Sequence, residues 1–193
     1  GSSNDPNRDF TLNGGTFLLA AETYVDDVTC TAGTIANNVG GGGDLRARTG
    51  NNSVFTVNAA DASTVVDAPL NATGTWSINV ANGAASHDLV MSGPITGTAA
   101  ITKSGAGTLT LSGSNTYNGN TTVNAGQLTL ADNAVLKFVP GATGVNNKIT
   151  GTGAVQLDGD FSIDTTAAGT TIGDSWTLVD VGTLAETYGS TFS

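Results

Sequence analysis

A short phrase that occurs twice, nineteen residues apart, restricts the possible folds of this chain more than any other feature. It reads GTLTL at residues 107–111 and GQLTL at residues 126–130. In each copy leucine alternates with a polar residue, which is the period of a β-strand with one buried face. We therefore expect the two copies to stack in adjacent turns of one structure, with the leucines in shared buried rows. The residues that define this repeat are Gly107, Leu109, Leu111, Gly126, Leu128 and Leu130.

The residues between the two copies indicate how the chain returns to the same wall. Residues 112–120 are rich in Ser, Gly and Asn, which favour turns because Gly and Asn accept positive φ and Asn bonds to nearby backbone. Residues 121–124 then predict a second short strand. A strand, a turn, a strand and a turn that recur at about 20 residues are typical of a solenoid coil. We expect residues 114–120 to lie on the outside of that coil as a turn.

The same stretch carries a family resemblance, which extends over residues 103–128. Its pattern consists of a lysine, glycines at fixed spacing, the first leucine strand, an Asn-Thr-Tyr triplet and a Thr-Thr-Val strand. The matching residues are Lys103, Gly105, Gly107, Thr108, Leu109, Thr110, Leu111, Gly113, Asn115, Thr116, Tyr117, Gly119, Thr121, Thr122, Val123, Ala125, Gly126 and Leu128. This pattern resembles the autotransporter-associated β-strand repeat of bacterial surface and secreted proteins. The resemblance implies a right-handed parallel β-helix in an exported protein, and it implies no catalytic chemistry.

The predicted fold class is all-β: a right-handed, single-stranded parallel β-helix, or β-solenoid. At roughly 20 residues per coil, the chain would hold about nine coils. Residues 1–9 are polar and predict an N-terminal arm, and residues 10–193 predict the β-helix itself. Residues 37–53 contain a run of four glycines and predict an irregular loop that leaves the wall, because glycine weakens a strand interior.

Composition agrees with a fold of short strands and many turns. Glycine supplies 27 of 193 residues, while only 11% of residues are charged and 6% are aromatic. The net charge of −10 argues against nucleic acid and anionic membrane surfaces, since both require clustered Lys and Arg. No apolar run approaches the roughly 20 residues of a membrane span, so we expect no membrane insertion. The single cysteine, Cys30, is expected to be a small buried apolar residue.

Residues that could carry chemistry are few. His87 is the one histidine, and its neighbour Asp88 would point to the opposite face of a strand, so the two would not form a base and its orienting partner. Asp158, Asp160 and Asp164 resemble a calcium loop only in their alternating carboxylates, with too few ligands and no closing Glu. We therefore predict no catalytic residue, no metal site and no cofactor.

The favoured hypothesis is a non-catalytic structural protein of the bacterial exterior, secreted or at the cell surface. As a β-solenoid subunit, it would associate end to end into an extracellular fibre. The first alternative is a passenger segment of an autotransporter-type surface adhesin. The second is a polysaccharide-active β-helix enzyme, which would need a carboxylate pair in a groove.

The partners follow from this hypothesis. The expected partner is a second copy of the chain in a head-to-tail homopolymer, surface glycans are a further candidate, and nucleic acid is excluded. Apolar strand patterns near both ends of the chain would form the joint, because an exposed strand edge invites strand addition. The residues predicted to take part in self-association are Phe10, Leu12, Phe17, Leu19, Trp176 and Leu178.

Overall fold

The computed structural model of the chain describes residues 9–38, 43–47 and 52–186. The predicted arm before residue 9 and the glycines at 40–42 lie outside these ranges. The described residues form 21 strands and no helix. In chain order the strands are β1 (Phe10–Leu12), β2 (Thr16–Leu19), β3 (Thr23–Val25), β4 (Asp27–Cys30), β5 (Gly33–Asn37), β6 (Leu45–Ala47), β7 (Ser53–Val57), β8 (Thr64–Val66), β9 (Leu70–Ala72), β10 (Thr75–Val80), β11 (Leu89–Met91), β12 (Ile95–Gly97), β13 (Ala100–Ser104), β14 (Thr108–Leu111), β15 (Ser114–Asn115), β16 (Thr121–Val123), β17 (Gln127–Leu130), β18 (Val135–Phe138), β19 (Ile149–Leu157), β20 (Asp160–Ile163) and β21 (Val179–Glu186).

The strands line up in three parallel walls. Wall 1 contains β1, β4, β7, β10, β13 and β16, and wall 2 contains β2, β5, β8, β11, β14 and β17. The long strands β19 and β21 then run through both of these walls. Wall 3 contains β3, β6, β9 and β12, followed by β15, β18 and β20. Except for β12 and β15, each strand pairs in parallel with the strand that occupies the same place in the next coil, which is the arrangement of a parallel β-helix and confirms the predicted fold class.

The coils are longer, on average, than the repeat at 107–130 suggests. The register pairs Phe10 with Val28, a spacing of 18 residues, and Ile149 with Val179, a spacing of 30. Long loops at residues 139–148 and 164–178 account for the late, large coils. The described residues consequently form seven complete coils and the first two walls of an eighth, against an expectation of about nine.

The core is a column of apolar rows inside the walls. One row runs along wall 2 through Leu89, Leu109, Leu128 and Val155, and each of these side chains is buried. Wall 1 contributes the largest buried side chain, Trp76. Since a single coil cannot enclose its own apolar face, each coil depends on its neighbours for burial.

Three local expectations differ from the structure. Residues 114–120 are not an outer turn throughout, because Ser114–Asn115 is a strand and Asn115 and Tyr117 are fully buried. Within the segment 37–53, β6 pairs with β3 and β9, so wall 3 continues through the part of this segment that the structure describes. The last apolar pattern enters its strand only at Val179, and Trp176 lies in the preceding loop.

Candidate functional site

The repeated phrase forms two adjacent paired strands, β14 and β17, with buried leucines. Leu109 pairs with Leu128 and Leu111 with Leu130 in adjacent parallel strands, and all four side chains are at most 1% exposed. Gly126, at a φ of 65°, lies so close to the carbonyl oxygen of Gly107 that a Cβ atom would collide with it. The spacing of the repeat thus sets both the leucine rows and the close approach of the two backbones.

Lys103 is the most unusual buried side chain, because it lies in the inward row of wall 1 between Ile78 and Val123. Its Nζ donates hydrogen bonds to the carbonyl oxygens of Ser104 at 2.9 Å, Gly105 at 2.8 Å and Ala125 at 3.0 Å. These bonds use all three donors of the ammonium group. Burial lowers the pKa of Lys103 to about 8, and the nearby negative charge of Asp88 opposes that shift.

Asp88 holds the other side of the same corner. Its Oδ1 accepts a hydrogen bond from the backbone N–H of Gly83 at 2.7 Å, and its Oδ2 accepts one from Thr108 at 2.8 Å. The side chain is only 4% exposed. Asp88 thus gathers backbone N–H groups where Lys103 gathers carbonyl oxygens, and together they satisfy the polar groups of the corner between walls 1 and 2.

His87 is exposed and lies in the loop before β11, not in a strand. Its Nδ1 lies 2.8 Å from the Thr110 hydroxyl, while both carboxylate oxygens of Asp88 bind backbone. The sequence placed His87 and Asp88 on opposite faces of a strand, but β11 begins only at Leu89, and the two side chains bond to different groups.

The side chain of Asn115 bonds to backbone where β12 and β15 do not pair as strands. Its Oδ1 accepts a hydrogen bond from the backbone N–H of Ile95 at 3.2 Å, and its Nδ2 donates to the carbonyl oxygens of Gly113 at 2.8 Å and Val135 at 3.1 Å. These bonds connect three successive coils at the point where wall 3 passes from β12 to β15. Asn115 is fully buried, so it stabilises the interior of the coil rather than an outer turn.

Tyr117 closes the same corner two residues later. Its hydroxyl lies 2.7 Å from the hydroxyl of Thr121, and burial raises its pKa to about 12. The Asn-Thr-Tyr triplet of the repeat therefore contributes two inward side chains, each of which has a polar partner inside the solenoid.

The outer faces of the late coils carry polar side chains that bond to one another. On wall 2, the Gln127 Nε2 donates to Thr129 at 3.1 Å and to the Gln156 Oε1 at 3.0 Å. On wall 3, the Lys137 Nζ lies 2.9 Å from the Asp164 Oδ2. Hydrogen bonds from Thr166, and then the Lys137 ammonium, hold the pKa of the Asp164 carboxyl well below its usual range.

The N-terminal end of the described stack is an open strand edge. β1 pairs only with β4, and β2 only with β5, among the strands that the structure describes. The rings of Phe10 and Phe17 lie 4.5 Å apart and close the apolar core at this end. Phe17 is 37% exposed and Leu12 is half-buried, whereas Leu19 is buried within the core.

The C-terminal end of the described stack is the second open edge. Within the described ranges β21 pairs only with β19, and Leu184 on this strand is 43% exposed. Trp176 and Leu178 are half-buried beside the edge, and the Trp176 Nε1 donates to the carbonyl oxygen of Ala142 at 3.1 Å. The strand edge itself consequently belongs to Val179–Glu186.

Two other kinds of feature, metal clusters and membrane-spanning helices, are absent from the described residues. Over those ranges, no group of three or more His, Cys, Asp or Glu residues lies close enough together to hold a metal ion. The same ranges contain no helix long and apolar enough to cross a membrane.

The fold and these features define the class of the protein as a parallel β-solenoid whose corners are closed by buried polar side chains. Residues 101–130 match the family model described as the passenger-associated-transport-repeat, which confirms the resemblance found in the sequence. A repeat of this kind is associated with exported passenger proteins. The match contains Lys103, Asn115 and both leucine strands. Comparisons with curated proteins and with solved structures found no match.

Proposed function

We propose that this protein is a non-catalytic structural subunit of the bacterial exterior that associates end to end with copies of itself. The two open strand edges carry this proposal. An unpaired edge presents backbone N–H and C=O groups that another strand can bond, and apolar side chains lie beside those groups at both ends. The matched repeat supports the export that such a role requires.

The two ends differ, which favours a chain of subunits over a closed dimer. The N-terminal edge consists of short separate strands, β1 and β2, and the C-terminal edge is the single strand β21. A contact between unlike surfaces repeats indefinitely unless rotation closes a ring. Head-to-tail addition would continue the existing walls, so the product would be a fibre with the width of one solenoid.

The chemistry of the polar groups supports a structural role. Asp88 and Lys103 bond to backbone inside the wall, and His87 bonds to the hydroxyl of Thr110. These titratable groups stabilise corners rather than converge on a shared cleft.

A mixing experiment tests the direction of assembly. Leu12→Lys places a charge at the N-terminal edge, and Leu184→Lys places one at the C-terminal edge, and both side chains stay charged at pH 4. Each variant alone should stay monomeric, since every joint needs one edge of each kind. An equal mixture should give heterodimers and nothing larger, because only one competent joint remains. Val145→Lys is the matched control, since Val145 is 61% exposed in the loop at 139–148 and belongs to neither strand edge, and it should assemble normally.

Two results would refute the head-to-tail proposal. Normal assembly of both edge variants would show that the edges do not form the joint. Full-length fibres from the mixture would show that the joint is not a contact between unlike ends. Analytical ultracentrifugation between pH 4 and pH 8 distinguishes monomer, dimer and fibre.

A second candidate function is a passenger segment of a surface adhesin, favoured by the match at residues 101–130. In that case the polar outer faces, including Gln127 and Gln156, would contact surface glycans. A glycan array probed with the monomer tests this candidate, and binding that is lost on replacing Gln127 and Gln156 by Ala would support it.

A further inference from the structure

An outward row of wall 1 has aspartate near each of its ends. The register carries this row from Asp27 through uncharged residues to Asp180, which pairs with Thr150 and is exposed. Asp9 directly precedes Phe10, the partner of Val28, so it occupies the same row one coil before Asp27. The uncharged members of the row are Val54, Ser77, Thr102, Thr122 and Thr150.

The register also places Glu186 at the end of a row of wall 2. Glu186 pairs with Leu157, which pairs with Leu130, so Glu186 occupies the register position that continues an otherwise apolar row. The opposite end of that row is Phe17, which pairs with Ile35. A second copy that continued the walls would bring Glu186 against Phe17 and Asp180 against Asp9.

We propose that these carboxylates gate the joint between subunits, so that copies stay apart at neutral pH and associate in acid. This inference rests on the proposed end-to-end association and names its regulation. Like charges directly opposite each other in neighbouring strands are destabilising, and a charge buried without a partner is strongly unfavourable. Protonation removes both penalties, while added salt screens only the first.

Few other charged residues lie beside these carboxylates, so the carboxylates determine most of the charge at the joint. β21 packs on β19, whose residues Ile149–Leu157 include no charged side chain, and Lys148 directly precedes that strand. β1 packs on β4, where the exposed Asp27 adds further negative charge. Arg8 lies outside the described residues.

The test compares the pH at which association begins. Light scattering of the full chain should rise as the pH falls from 8 to 4. The joint variant, Asp180→Asn with Glu186→Gln, should associate at a pH higher by about one unit or more, because the charged groups at the joint are gone. The control, Asp61→Asn with Asp67→Asn, removes two exposed charges away from both edges and should follow the unmodified chain.

Each outcome has a distinct meaning. Equal association at pH 4 and pH 8 would refute control of the joint by carboxylates but not end-to-end assembly. Equal shifts in the joint variant and the control would also refute the gate, since total charge would then be the cause. No association at any pH overturns the gate and the proposed function together. Adding Leu184→Lys to the joint variant should abolish association at every pH from 4 to 8, because lysine stays charged over that range, and this assigns the signal to the edges.

Discussion

Lys103 and Asp88 bond to the same corner of the solenoid, Lys103 to backbone carbonyl oxygens and Asp88 to backbone N–H groups. The Lys103 Nζ donates to the carbonyl oxygens of Ser104 and Gly105, and the Asp88 Oδ2 accepts from the N–H of Thr108. At a buried corner both N–H and C=O groups of the backbone lack strand partners, and each needs another hydrogen bond. One cation and one anion provide the partners for these backbone groups, which belong to residues 104–108.

Lys103→Met tests the contribution of the cation. The substitution keeps most of the side-chain length but removes the donors for three carbonyl oxygens, and leaving such groups unsatisfied costs about 1–3 kcal/mol net. Lys137→Met removes a partly exposed ion pair with Asp164 instead and should cost less than Lys103→Met. Urea unfolding of both variants measures the difference. Equal effects would show that the corner bonds contribute nothing.

The same lysine predicts a dependence of stability on pH. Burial lowers the pKa of Lys103 from 10.5 to about 8 in the folded chain, while the unfolded chain keeps its proton to higher pH. Between about pH 8 and 10.5 the unfolded state therefore binds more protons, and the free energy of unfolding contributed by Lys103 rises with pH.

The measurement takes the difference between the unmodified chain and Lys103→Met across that range. Subtraction removes the opposite trend from Cys30 and Tyr117, whose pKa values burial raises to about 11 and about 12. The difference should grow from pH 8 to pH 10.5 in favour of the unmodified chain. A flat difference would contradict the lowered pKa.

Asn115→Ala and Ser53→Ala form a matched pair of buried substitutions. Asn115 bonds to three backbone groups of successive coils, so its loss should cost about 2–4 kcal/mol. The Ser53 Oγ is equally buried but has no hydrogen-bond partner among the described residues. Ser53→Ala should therefore be neutral or slightly stabilising. Thermal melts should separate the two, and a larger loss for Ser53→Ala would contradict this account of the corner.

Cys30 should be inert in the folded chain. It is fully buried, and burial raises the pKa of its thiol to about 11, so little reactive thiolate forms near neutral pH. Labelling with iodoacetamide at pH 8 should be slow in native protein and fast in guanidinium. Rapid labelling of both states would show that the first coils open readily.

Repetition made the fold predictable. The spacing between Leu109 and Leu128 predicts stacked parallel strands because side chains at period two must share a buried face, and the structure confirms their register. The number of coils was harder to predict, because the loops at 139–148 and 164–178 lengthen coils without changing the strand pattern.

The burial of two polar residues was not predicted from the sequence. Asn115 and Tyr117 occur among turn-forming residues, so composition favoured an outer turn, yet both point inward. The available signal was the resemblance itself, since Lys103, Asn115 and Tyr117 are part of the matching pattern. The joint carboxylates could not be recognised from sequence, because Asp180 and Glu186 acquire meaning only from the register of β21.

Negative-stain electron microscopy of the full chain at pH 4 tests the central claim most directly. If subunits add head to tail through β21 and the β1–β2 edge, the images should show unbranched fibres with the width of one solenoid. Leu184→Lys, whose charge persists at pH 4, should abolish them, and Val145→Lys should not. Single particles or shapeless aggregates from the unmodified chain under these conditions would contradict end-to-end assembly.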